Sequence, residues 1–183
     1  METLTNPEVG IRCRAIGPVG LEVDDHGALV TLEPGNWFVC FVPGLKKQFY
    51  HPFVHKVHKH AFAMRPAGPG KWTLFEPWWH RLSSATITSE QAQKFLLWGS
   101  LGDVLLVREH IPGRGSQVRG WMTCAALCCY LLGRPYLVWT PHGLYNRLRR
   151  EPNVCRVDVS ALLRRGLDPI ADGHSNLLNA RAQ

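Results

Sequence analysis

Residues 60–77 read HAFAMRPAGPGKWTLFEP, and this stretch decides the fold class. The extended segment 54–65 and the segment 71–76 are separated by a loop rich in Pro and Gly, which predicts an antiparallel hairpin with a five-residue loop. We expect Arg65 to oppose Lys71, which places His60 opposite Glu76. Because side chains alternate along a strand, one face then carries His60, Phe62, Met64, Trp72, Leu74 and Glu76. The other face carries Ala61, Ala63, Thr73 and Phe75.

The segments around this hairpin predict a mixed architecture. The run WFVCFV at residues 37–42 is wholly apolar and ends at Pro-Gly, which is typical of a buried strand. Three helices and one more strand follow from capping residues and apolar runs. They are a helix from Thr88 or Ser89 to about residue 98, a strand at 103–109, a helix at 121–132 with Thr123 as N-cap and Gly133 as its stop, and a helix that Thr140 and Pro141 open. The order predicts an α+β fold, a largely antiparallel sheet packed by helices.

The ends of the chain are expected to lie outside this domain. Residues 1–36 form an N-terminal extension with short strands, in which segments 21–23 and 28–32 make a hairpin around an acidic turn. Residues 37–150 form the domain. Residues 151–183 form a C-terminal extension.

Composition excludes some classes of protein and leaves others open. The chain has 183 residues, of which 45% are hydrophobic and 19% charged, a globular composition. No apolar run is long enough to span a membrane, and the N-terminus has no signal-peptide pattern. The net charge of +7 suits an anionic partner such as nucleic acid, an anionic wall polymer or a membrane surface, or only a basic surface.

A thiol-based site is the main catalytic hypothesis. Six cysteines without regular spacing argue against a disulfide framework. Cys124 falls in the first turn of its predicted helix, where the helix dipole favours a thiolate. The hairpin register nominates His60 as its base and Glu76 as the carboxylate that orients the imidazole. The alternative is a cross-strand polar pair and a cysteine that only packs against Trp121.

Four stretches resemble a known family. They are HAFAMRP at 60–66, GKWTLFEP at 70–77, TCAALCCYLLG at 123–133 and TPHGLY at 140–145. Together they resemble papain-like cysteine hydrolases, in particular the circularly permuted NlpC-type cell-wall peptidases of bacteria and phages. The resemblance implies a catalytic His60 at the head of a strand, Glu76 as the third member on the next strand, and Cys124 at the start of a helix.

The resemblance implies a cysteine hydrolase of amide bonds. Cys124 attacks the carbonyl, His60 acts as base and then acid, and water releases the acyl-enzyme. The implied substrate is a peptidoglycan stem peptide, no cofactor is needed, and a cytoplasmic or virion-associated location is expected. Four tryptophans are candidates to line the substrate groove: Trp37, Trp78, Trp79 and Trp121. The backbone N–H of Cys124 is the natural oxyanion donor, with Trp37 or Gln48 as possible neighbours.

The same fold is also compatible with a non-catalytic role. In that alternative the chain is a structural component of a phage particle or tail, and its terminal segments contact other virion proteins. Nucleic-acid binding is not expected, because the basic residues form no single tract and no known motif is present.

A histidine-rich segment offers a rival site. Residues 51–60 read HPFVHKVHKH, and His51, His55, His58 and His60 could bind zinc. The lysines at 56 and 59 disfavour a cation there, so no metal site is predicted. His110 and His142 are expected to be surface residues without a partner.

Overall fold

The structure, a computed structural model, describes residues 15–16, 20, 22–23, 34–49, 51–78, 81–110 and 122–167. Its strands are β1 Ala15–Ile16, β2 Glu22–Val23, β3 Asn36–Val42, β4 His60–Gly68, β5 Lys71–Pro77, β6 Leu82–Thr88, β7 Asp103–Arg108 and β8 Cys155–Arg156. Its helices are α1 Ser89–Gly99, α2 Cys124–Leu131, α3 Pro141–Leu148 and α4 Val159–Arg165, and a short 3-10 helix lies at His51–Phe53. The expected α+β class is confirmed.

One antiparallel sheet forms the middle of the domain. It has six strands in the order β6-β5-β4-β3-β7-β8, and every neighbouring pair is antiparallel. β3 lies between β4 and β7, and each of its residues after Asn36 is buried. An apolar residue at every position is what a strand covered on both faces requires. The prediction of a buried strand at 37–42 is confirmed.

The β4–β5 hairpin has a different register from the expected one. Arg65 pairs with Thr73 instead of Lys71, and the ladder shifts between Pro66 and Gly68, where a bulge places Gly68 opposite Lys71. Gly68 and Gly70 both have positive φ, which permits a tight reversal where a loop of five residues was expected. The register is displaced by two residues, so the predicted division of side chains between the two faces still holds.

Helices cover both faces of the sheet. On one face, α2 and α3 pack over a core that includes Phe41, Ala61 and Ala63. On the other face, α1 and α4 pack over a core that includes Phe62 and Met64. Adjacent residues of β4 therefore belong to different cores.

Side-chain caps set the starts of the helices. The Thr88 hydroxyl accepts a hydrogen bond from the Gln91 N–H, and the Gln91 side chain bonds back to the Thr88 N–H, which makes a capping box. Thr123 caps α2 and Thr140 caps α3 in the same way, with Pro141 in the first turn of α3. The capping predictions are confirmed, although α2 begins at Cys124 and not at residue 121.

Three segments differ from expectation. Residues 82–88 form the edge strand β6, which their polar sequence did not indicate. Residues 155–167 pack into the domain, because β8 pairs with β7 and α4 joins the second core. The N-terminal pairing joins Ala15–Ile16 to Glu22–Val23, and the expected partner strand at 28–32 lies outside the described residues. Among the described helices, none combines the length and the apolar composition of a membrane span.

A buried arginine ties the α2 end of the domain together. Arg134 is 3% exposed, and its guanidinium donates to both carboxylate oxygens of Glu151 at 2.7 to 3.0 Å. It also donates to the carbonyls of Leu132 and Arg108 at 2.9 Å. The Tyr136 hydroxyl donates to the same carboxylate. Arg134 therefore links the end of α2, the end of β7 and the segment after α3.

Replacing this arginine should destabilise the domain strongly. We expect Arg134→Ala to lower the free energy of unfolding by about 3–5 kcal/mol, because Glu151 and two carbonyls lose their buried partner. Lys94→Ala is the control, since Lys94 and Glu90 form an exposed pair worth less than about 1 kcal/mol. Urea unfolding of both variants measures the difference. Equal losses in the two variants would contradict the role of Arg134.

Candidate functional site

The structure brings His60 and Glu76 close together. The His60 Nε2 lies 3.9 Å from the Glu76 Oε1, which is an ion-pair distance and too long for a hydrogen bond. The two residues are diagonal neighbours across β4 and β5, because the register is displaced by two. Within the described residues, the His60 Nε2 has no hydrogen-bond partner.

Aromatic rings enclose the His60 imidazole. The ring of Trp78 stacks on it at 4.5 Å with an interplanar angle of 15°, and the ring of Trp98 lies at 5.8 Å with an angle of 20°. Burial lowers the pKa of His60 from 6.5 to about 4. Its imidazole is therefore neutral near pH 7, and its environment is that of a core aromatic ring.

Glu76 is also in a poorly solvated position. Burial raises the pKa of its carboxyl, and a hydrogen bond with Trp78 and the charge of Arg81 oppose that rise. These two residues follow β5 and precede β6, so they approach the carboxylate from the strand connection. Glu76 therefore has partners other than His60.

Cys124 lies on the other face of the sheet. It begins α2 and packs against the core that contains Ala61 and Ala63. His60 alternates with Ala61 along β4 and contacts Phe62, which belongs to the opposite core. Both residues are among those that the structure describes, and no hydrogen bond links the Cys124 thiol to the His60 ring.

The surroundings of Cys124 do not favour a thiolate. Burial raises the pKa of its thiol, and the backbone N–H groups of Ala61, Ala125 and Cys124 itself oppose that rise only in part. The expected effect of the helix N-terminus is therefore present, but burial outweighs it. The predicted three residues are split into a pair, His60 and Glu76, and a separate, partly buried cysteine.

The four tryptophans expected to line a substrate groove do not lie together among the described residues. Trp37 is a core residue whose indole N–H donates to Glu109, and the Arg65 guanidinium lies over its ring. It is five residues along β3 from Val42, which pairs with His60, so it lies far from that ring. Trp78 contacts His60. Trp79 and Trp121 lie outside the described residues.

Two neighbours were expected for an oxyanion site. Trp37 belongs to the core against which Cys124 packs, where its indole N–H is already bonded to Glu109, and Gln48 lies in the segment after β3. There the backbone N–H of Gln48 donates to the Nδ1 of His51 at 3.2 Å. The backbone N–H of Cys124 itself lowers the pKa of its own thiol, against the effect of burial. Within the described residues, no second donor for an oxyanion is therefore identified.

A cluster of histidines assembles elsewhere, on the same face as α3. The Nδ1 of His58 lies 3.0 Å from the Nδ1 of His142, and the Nε2 of His58 lies 2.8 Å from the Oδ2 of Asp103. The ring of His55 stacks on that of His142 at 3.9 Å with an interplanar angle of 6°. His58 also packs edge-on against Tyr145. We call His55, His58 and His142 the three-histidine cluster.

The three-histidine cluster corrects one expectation. His142 was expected to have no partner, but as the second residue of α3 it contacts both other rings. His58 and His60, both in the histidine-rich segment, lie apart, because His58 contacts Phe41 of the first core while His60 lies with the second. Burial is the largest influence on the pKa of His58 and of His142, and it lowers both.

The buried His60 should make the domain sensitive to acid. The folded state holds His60 neutral down to about pH 4, while the unfolded chain protonates it below about pH 6.5. The stability that its neutral form provides is complete above pH 6.5 and is lost as the pH falls toward 4. We expect protonation of His60 in the unfolded chain to lower the free energy of unfolding by about 2 kcal/mol as the pH falls from about 7 to about 4.5.

The measurement is urea unfolding of the native chain and of His60→Phe at the two pH values. The variant keeps an aromatic ring between the indoles but cannot take up a proton. On acidification, its free energy of unfolding should therefore fall less than that of the native chain, by the amount attributed to His60. The raised pKa of Glu76 acts in the opposite direction in both proteins. An identical pH dependence would mean that burial does not hold His60 neutral.

Comparison with known proteins does not assign a family. No family model, no curated protein and no solved structure matches the chain. The resemblance to papain-like, NlpC-type hydrolases therefore stays a prediction that depends on the four stretches of sequence quoted above. The fold is established only as an α+β domain with an antiparallel sheet.

Proposed function

We propose that this domain is a non-catalytic structural component and that Cys124 is not a hydrolytic nucleophile. The observation that carries the proposal is the position of Cys124 and His60 on opposite faces of one sheet. A general base must lie within hydrogen-bond reach of the thiol, and apo structures loosen such contacts without moving a group through a sheet. The alternative role as a component of a phage particle or tail belongs to this class.

The pKa directions of the two groups support the same proposal. A catalytic cysteine carries a lowered pKa, whereas burial raises the pKa of the partly exposed Cys124. A catalytic histidine titrates near the working pH, whereas the pKa of His60 lies at about 4. Both side chains contribute to cores in the way that ordinary buried residues do.

One surface segment is suited to contact with another protein. Residues 43–59 contain four lysines and no Asp or Glu. Leu45, Phe49 and Phe53 are exposed within it, and Phe53 has 87% of its surface accessible. Large apolar side chains beside cations fit a partner whose surface is apolar with an acidic rim. An assembly component requires a contact surface of this kind.

Thiol reactivity tests the proposal. We expect iodoacetamide to alkylate Cys124 at least about tenfold more slowly than the exposed Cys155 across neutral pH, because a partly buried thiol with a raised pKa forms little thiolate. Peptide mass spectrometry reads each cysteine separately. His60→Phe should leave the rate at Cys124 unchanged.

The opposite result would restore the hydrolase. Fast alkylation of Cys124 at pH 6–7 that is lost in His60→Phe would require an assembled thiol–imidazole pair and would overturn the structural proposal. Circular dichroism of the variant serves as the control, since it separates loss of activation from loss of folding.

A further inference from the structure

We propose that the three-histidine cluster binds a divalent transition ion of the zinc class. The three side chains each offer one ring nitrogen, and these nitrogens all lie within 4.8 Å of one another. The cluster joins the segment before β4 to the first turn of α3. This inference is independent of the structural role proposed above, and it concerns a different set of residues from Cys124, His60 and Glu76.

Two of the nitrogens already have nearly the required separation. In a tetrahedral zinc site with bonds of 2.0 to 2.1 Å, two ligand nitrogens lie about 3.3 Å apart. The Nδ1 atoms of His58 and His142 are 3.0 Å apart. An ion between them therefore needs only a small outward displacement of the rings.

Asp103 orients the His58 ring from outside the proposed coordination sphere. Its Oδ2 accepts from the Nε2 of His58 at 2.8 Å, which leaves the lone pair of Nδ1 directed at His142. The other carboxylate oxygen pairs with the Arg156 guanidinium at 2.6 Å, and that contact holds Asp103 in place. Carboxylate–histidine pairs of this kind are characteristic of imidazole ligands to metals.

His55 is the adjustable ligand. Its ring is exposed and stacks parallel to His142, so it must rotate to direct a nitrogen at the same point. The longest separation in the cluster must shorten by about 1.5 Å to reach tetrahedral geometry. Its long Nδ1 contacts to the backbone N–H groups of Val57 and His58, at 3.4 and 3.3 Å, and its stacking on the His142 ring oppose this rotation. Water would complete the four-coordinate site.

The charges around the cluster do not prevent binding. Arg156 and Asp103 form an ion pair, so the positive charge of Arg156 is offset by the Asp103 carboxylate. Lys56 is exposed and Lys59 half-buried, so solvent screens much of their repulsion.

Metal titration of the full chain tests the proposal. We expect one Zn²⁺ per chain by calorimetry, with a dissociation constant on the order of 1 µM. Co²⁺ should give the visible absorption of a tetrahedral nitrogen–oxygen site. His55→Asn and His142→Asn should each weaken zinc binding at least tenfold, and both changes lie near the surface, where folding is little affected. Asp103→Asn should weaken it less than either.

The control is His110→Asn, which removes a histidine outside the cluster and should leave the affinity unchanged. Three results would overturn the proposal. They are no zinc uptake at about 100 µM ion, equal affinity in the native chain and in His55→Asn and His142→Asn, and a thiolate-to-cobalt charge-transfer band, which would place the ion on cysteine.

Discussion

The alternation of side chains along β4 decides which groups in this molecule can meet. Ala61 and Ala63 present only methyl groups to α2, which can therefore approach the sheet closely. His60 and Phe62 point the other way, toward α1. A one-residue slip would bring the imidazole to the α2 face, but it would also exchange the two alanines for bulky residues beneath the helix. The core fixes the face of His60, and the separation from Cys124 follows.

Local signals predicted most of the elements but missed the edge strand β6 and the hairpin register. Thr88, Thr123 and Thr140 act as helix caps because their hydroxyls satisfy backbone N–H groups close in sequence, and such short-range chemistry is visible in the chain. The hairpin register depends on Gly68, where a bulge takes up one residue of β4. Several turn geometries suit a Pro- and Gly-rich loop, so the sequence did not select among them. The predicted register was wrong by two residues, and a shift by an even number leaves every side chain on the same face of the sheet.

The candidate site shows where such reasoning stops. The nearness of His60 and Glu76 follows from pairing between neighbouring strands, so it could be predicted from the sequence. The face of the sheet that α2 covers could not be predicted, because the apolar residues of α2 would suit either face. The contacts of His58 with Asp103 and His142 join residues 45 and 84 positions apart. No local pattern reports contacts at that separation, and so His142 was misjudged as an isolated surface residue.

The position of β8 and α4 has a consequence for synthesis of the chain. β8 covers the outer edge of β7, and α4 contributes Val159 and Leu162 to the second core. Both leave the ribosome after every other described element. Until they do, β7 presents unpaired N–H and C=O groups beside uncovered apolar side chains, a template for pairing with another nascent chain. A polypeptide cut before residue 155 retains that edge permanently and is prone to aggregate.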